Sequence, residues 1–199
     1  MNNYIKKNFI EYLNERYLID NLPKDIVLLS KYSNFNNYDK FLLYDINLNK
    51  AISYIEFIFY KNINSYIVVG AYSKKGYGAF LYECAMTYVY PIGLSMSRDS
   101  TTSDDALNVW FKFKNRNDVK KQRMYSDEIT HKKQDWIESG FLSDKPEYRQ
   151  SIFDLEDIRF YYNFGKEKLN NLIQIGRKYM KNNDISEQKI EYMSWDLEN

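Results

Sequence analysis

The 199-residue sequence predicts an α/β (α+β) fold, and three stretches carry that prediction. Ile67, Val68 and Val69 form an apolar, β-branched run without alternation, as in a central strand buried on both faces. Gly70, Gly76 and Gly78 then fall within nine positions, although the chain has only seven glycines in all. Directly after them Phe80, Leu81, Cys84, Ala85, Tyr88 and Val89 recur at helical spacing and make one broad apolar face. A strand therefore leads through a glycine-bearing turn into a helix.

The other elements follow in chain order. Ile5, Phe9, Tyr12, Leu13 and Tyr17 have helical spacing and predict an N-terminal helix over residues 4–20. Pro23 stops it, and IVLLSKY is a short β-rich run. Residues 40–73 read as strands joined by Asn-rich turns, most clearly at KNIN, with Tyr54, Phe57 and Phe59 at strand positions. Pro91 ends the helix that follows the glycines. IGLSMS is a further strand candidate, and TTSDDALNVWFKFKNR begins with a Thr or Ser N-cap and two aspartates in the first helical turn. Residues 117–157 are polar and read as an insertion, DIRFYYNFG as a strand, and KEKLNNLIQIGRKYMKN as the amphipathic helix that closes the ordered chain. Nothing marks a linker, so residues 1–199 read as one domain.

Composition excludes several functions. Lys and Arg total 28 against 27 Asp and Glu, so no general polyanion-binding surface is expected. One cysteine and one histidine (Cys84 and His131) leave no disulfide framework and no basis for a zinc site; no metal is expected. Without an apolar run of about 18 residues, or a signal-peptide core, the expectation is a cytoplasmic protein with no membrane partner. The 20 tyrosines and 12 phenylalanines read as compositional background. Cys84 lies on the apolar helix face and reads as a packed thiol.

A strand, a glycine turn and a helix start make an anion site, because the first helical N–H groups lack intrahelical partners and the helix dipole favours negative charge. Gly76 and Gly78 would permit positive φ and close approach of backbone to a phosphate, with Lys74 and Lys75 beside them. The P-loop string G-x-x-x-x-G-K-S/T is absent, and the dinucleotide fingerprint fails at Leu81.

SKKGYGAFLYECAMTYV resembles the acetyl-CoA loop of the GNAT superfamily of N-acetyltransferases, Q/R-x-x-G-x-G/A at a strand-to-helix junction. Ser73 stands at the Gln/Arg position, Gly76 and Gly78 match, and the helix would begin at Ala79 or Phe80. Farther on, SDDALNVWFK is similar to the family's N-x-x-A-I/L-x-L/V-Y-x-K, at the helix after its fifth strand, through Ala106, Leu107, Val109 and Lys112. Ser103 replaces the usual Asn. Trp110 replaces the tyrosine that protonates the departing CoA thiolate, and an indole N–H cannot do so. The similarity covers residues 50–122 and is nearest in look to small acetyltransferase-like proteins of tailed bacteriophages, which would place the chain in a host cytoplasm.

The resemblance implies a central, strongly bent mixed sheet flanked by helices, with acetyl-CoA as co-substrate. Its cofactor site would comprise Val68, Val69, Ser73, Lys74, Lys75, Gly76, Tyr77, Gly78 and Ala79. A backbone N–H near Val68 or Val69 would polarise the thioester carbonyl. Glu56 is the candidate base, and it also reads as a solvated strand carboxylate. Arg98 and Asp99 are candidates for binding the acceptor, a small-molecule or protein amine, or for pairing with each other. Two other functions stay open. One is an inactive protein of the same fold that docks a partner through its N-terminal helix or the 117–157 insertion. The other, weaker, is nucleic-acid binding by the basic run KFKNRNDVKKQR, residues 112–123.

Overall fold

The computed structural model describes residues 22–32, 38–74, 76–96, 103–124, 155 and 158–198. The expected N-terminal helix and most of the 117–157 insertion lie outside them. Seven strands form one mixed sheet: β1 (Ile26–Tyr32), β2 (Tyr38–Asp45), β3 (Lys50–Tyr60), β4 (Ser65–Ser73), β5 (Leu94–Ser95), β6 (Lys120–Arg123) and β7 (Ile158–Tyr161). Their order in space is β1-β2-β3-β4-β5-β7-β6. Strands β1 to β4 are antiparallel neighbours, β4 and β5 run parallel, and β7 is antiparallel to both β5 and β6. Four α-helices are described: α1 (Gly78–Val89), α2 (Asp104–Asn115), α3 (Lys166–Asn182) and α4 (Glu187–Glu198). Helix α4 corrects the expectation that the chain's order ends with α3.

Side chains alternate across the sheet and build two cores. On one face Leu28, Phe41, Leu43, Ile55, Phe57 and Val68 pack against α1, α2 and the first turns of α3. On the other, Val27, Leu29, Leu42, Tyr44 and Tyr54 meet Met180 at the end of α3 and Ile190 of α4. Helix α1 is buried on nearly all sides, more than an amphipathic surface helix would be. Helix α3 crosses β1 at Gly176, where a Cβ would stand 1.9 Å from the Leu28 carbonyl oxygen, so only glycine allows this approach. The N-cap of α2 is Ser103, whose hydroxyl accepts from the Ala106 N–H at 3.3 Å.

Candidate functional site

The glycine-bearing junction is built by the second half of β4. Its parallel pairing with β5 comprises only Tyr66 with Leu94 and Ile67 with Ser95. Beyond Ile67 no described strand runs along that edge of β4, whereas its other edge stays on β3 as far as Ser73. The register with β3 shifts within this half: Phe57 faces Val68 and Glu56 faces Gly70, so Val69 is an extra residue without a partner on β3. From Val69 to Lys74 the strand is largely exposed. An apolar run that read as wholly buried is thus buried to Val68 and open after it.

The turn that follows closes when the Tyr77 N–H donates to the Lys74 carbonyl at 3.2 Å. Gly76 has φ of +97°, which explains glycine at this corner even though a Cβ there would meet nothing within 4 Å. Gly78 corrects the expectation of a second positive φ and of a helix starting at Ala79 or Phe80. It is the first residue of α1, and its missing Cβ lets the helix start lie against Ser73 (3.5 Å) and Val109 of α2 (3.7 Å). The N-cap, Tyr77, makes no side-chain cap. The Leu81 N–H reaches the Tyr77 carbonyl, whereas the N–H groups of Gly78, Ala79 and Phe80 have no acceptor among the described residues. Such a helix start accepts an anion on backbone donors alone. Ser73 is exposed, its hydroxyl donating to the Lys74 carbonyl at 2.8 Å.

Trp110 does not face this junction as the family's tyrosine would. It is buried, 5.0 Å ring to ring from both Tyr82 and Phe160, and works as the central side chain of the α1–α2 core. Cys84 is fully buried, and burial raises its thiol pKa well above the ordinary value, as a packed thiol requires.

Glu56 is not the solvated carboxylate that its strand position suggested. Its Oε1 lies 2.6 Å from the Nζ of Lys40 on β2, a lysine only 2 % exposed. Its Oε2 is 3.1 Å from the point where a Gly70 Cβ would be. One carboxylate oxygen is therefore held by a buried cation and the other lies against β4, one residue past the bulge. Lys40 also donates to Ser194 Oγ at 2.7 Å and lies 3.5 Å from Glu191, both on α4; Lys31 pairs with Glu191 as well. Burial works to raise the Glu191 pKa but is outweighed by the hydrogen bond from Lys31 and the charge of Lys40, so it ends below the usual carboxylate value. Lys40 was not singled out from the sequence, because its partners Glu191 and Ser194 are about 150 residues away.

The basic run at 112–123 is occupied by structure. Arg116 pairs with buried Glu83 of α1 and with Asp118 at 2.7 Å, and it lies over the Tyr162 ring at 4.8 Å. Lys121 donates to the Arg116 carbonyl, and β6 places its charges on the sheet's outer strand, where lysines discourage edge pairing. Lys75, Arg98, Asp99 and His131 lie outside the described residues. Among those described, no three His, Cys, Asp or Glu side chains could hold a metal ion, and no helix is long and apolar enough to cross a membrane.

Compared with protein-family models, with curated proteins and with solved structures, the chain matches none.

Proposed function

We propose that the protein is an acetyl-CoA-dependent N-acetyltransferase of the GNAT type. The observation that carries this reading is the open, bulged half of β4 followed, across one glycine-bearing turn, by a helix start with no side-chain cap. The pyrophosphate of CoA accepts hydrogen bonds from the N–H groups at the start of α1, with Gly76 turning the chain. The pantetheine arm, which carries amides, lies along the β4 edge that β5 leaves. The thioester carbonyl sits at the bulge, where the Val69 main chain polarises it. The first of the two similar stretches follows β4 directly and the second lies on α2, the helix after β5, an order that supports this reading.

In the transfer, a neutral amine attacks the carbonyl carbon, the C–N bond forms, the C–S bond breaks and CoA leaves as its thiolate. Glu56 receives the amine proton through Oε2, directly or by way of water. Positioning of the two reactants supplies much of the rate. The acceptor remains an amine of unspecified structure.

One observation favours a second reading, a protein of this fold that binds without turnover: Trp110 is committed to the core, so α2 offers no proton to the thiolate. Calorimetric titration with acetyl-CoA and with CoA separates the outcomes. Micromolar binding that Gly78→Asp abolishes while its thermal melt stays cooperative supports the site. Binding without transfer across an amine panel selects the second reading. Absence of binding at millimolar acetyl-CoA overturns both.

A further inference from the structure

On the sheet face opposite α1, a cleft of about 540 Å³ opens between α4, the β2–β3 turn and the exposed end of β4. That volume is in the range of small-molecule sites. Three lysines from three separate elements line it: Lys50 at the start of β3, Lys74 just after β4 and Lys189 in the first turn of α4. Among the described residues no acidic side chain lines it, and none of the three lysines has an ion pair or side-chain hydrogen bond. Elsewhere on this face Lys31 is paired with Glu191, and Lys40 with Glu56 and Glu191. Three uncompensated like charges around one concavity repel one another, and a bound anion converts that repulsion into attraction. The remaining wall is aromatic and apolar. Tyr72 is 43 % exposed and offers its ring, Met193 and Leu197 of α4 face it, and Tyr44 is fixed by donating to Asn49 Oδ1 at 2.5 Å.

We propose that this cleft binds a nucleoside polyphosphate, with its phosphates among Lys50, Lys74 and Lys189 and its base against Tyr72 and the α4 side chains. Cationic side chains gathered at one end account for a phosphate chain, and the aromatic and apolar wall accounts for a base. The site is separate from the helix start of α1 and does not depend on the acetyl-CoA reading.

The test is titration of the full chain with ADP and ATP, with pyrophosphate and adenosine as controls, repeated in saturating acetyl-CoA and in rising salt. The variants are Lys50→Glu, Lys189→Glu and the pair; both positions are exposed and outside the glycine junction. Expected are ADP and ATP binding that weakens with salt, is unchanged by acetyl-CoA, and falls by roughly tenfold or more in the double variant. Adenosine alone binds far more weakly. Equal binding of pyrophosphate and ADP overturns the nucleotide assignment, leaving a simple polyphosphate site. ADP binding that acetyl-CoA displaces, or that the lysine variants leave intact, overturns the cleft as its location, as does absence of binding in a folded protein. Loss of acetyl-CoA binding in Gly78→Asp with ADP binding retained shows the two sites failing independently.

Discussion

The two faces of the sheet are held by different physics. Under α1 and α2 the contact is aromatic: Trp110, Phe113, Phe160 and Tyr82 interlock in the same core as Phe41, Phe57 and Val68, and Arg116 pairs with Glu83 of α1. Under α4 an apolar strip borders a charged chain from Lys31 through Glu191 and Lys40 to Glu56, with the lysine cleft at its end. The same strands make both, because alternation lets β2 place Phe41 on one side and Lys40 on the other. Burial is the main source of stability on the first face. Stability of the second depends on which groups are charged, and it is the second that leaves cations available.

The largest expected effect comes from the helix that spans both cores. Gly176→Val puts a side chain into the Leu28 carbonyl, where main chain and not a flexible tip must yield. The expected loss exceeds about 3 kcal/mol, a large fraction of the stability of a domain, and urea unfolding by circular dichroism measures it. A loss below about 1 kcal/mol would show that α3 does not approach β1 so closely.

Next is the aromatic face. Trp110→Ala should cost about 3–5 kcal/mol through the cavity it leaves. Trp110→Tyr should cost less, about 1–3 kcal/mol, and should not increase acetyl transfer, because a ring at this position packs on Phe160 and Tyr82. A faster transfer rate in the Trp110→Tyr variant would mean that the position does reach the thiolate.

The charged face should respond differently. Lys40→Met leaves Glu56 without its partner and Glu191 with Lys31 alone, for an expected cost of about 2–3 kcal/mol. Adding Glu56→Gln should recover part of it, so a double-mutant cycle on chemical unfolding should give a clear coupling. Zero coupling would mean that the pair at 2.6 Å contributes nothing to the fold.

Local signals in the sequence foretold the aromatic face better than the charged one. The helical spacing of α1, the Ser103 cap and the glycine corner at Gly76 all depend on neighbours within a few residues. The register shift that exposes Val69 could not be read from Ile67-Val68-Val69, since a bulge is a relation between two strands. Lys40 could not be singled out because nothing local announces α4 above it. Helix α4 did carry a signal that was passed over: Ser186 accepts from the Lys189 N–H at 3.1 Å as a cap, and Ile190, Met193 and Leu197 recur at helical spacing.

The smallest effect concerns one carboxylate on the aromatic face, and it tests how far the contrast between the faces extends. Asp39 pairs in register with Phe57 on β3, and its charge acts on the hydroxyls of Tyr66 and Tyr88, which burial and Asp39 together push above their ordinary pKa. Arg177 is the cation felt by Tyr88, and it lies over the Tyr32 ring. Burial raises Asp39 itself from 3.8 to about 6. The folded state therefore holds this proton more tightly than the unfolded chain. Its contribution is present in full below about pH 4, and it is lost as pH rises through about 6. Above that the protein carries a poorly solvated charge at constant cost. Asp39 is only half-buried, so water screens much of the penalty, and Asp39→Asn should stabilise by about 1 kcal/mol at pH 8 and by almost nothing at pH 4. Urea midpoints at the two pH values measure this difference. A variant less stable than the parent at pH 8 would mean that the ionised carboxylate has a favourable partner, and the aromatic face would then also rest on charge.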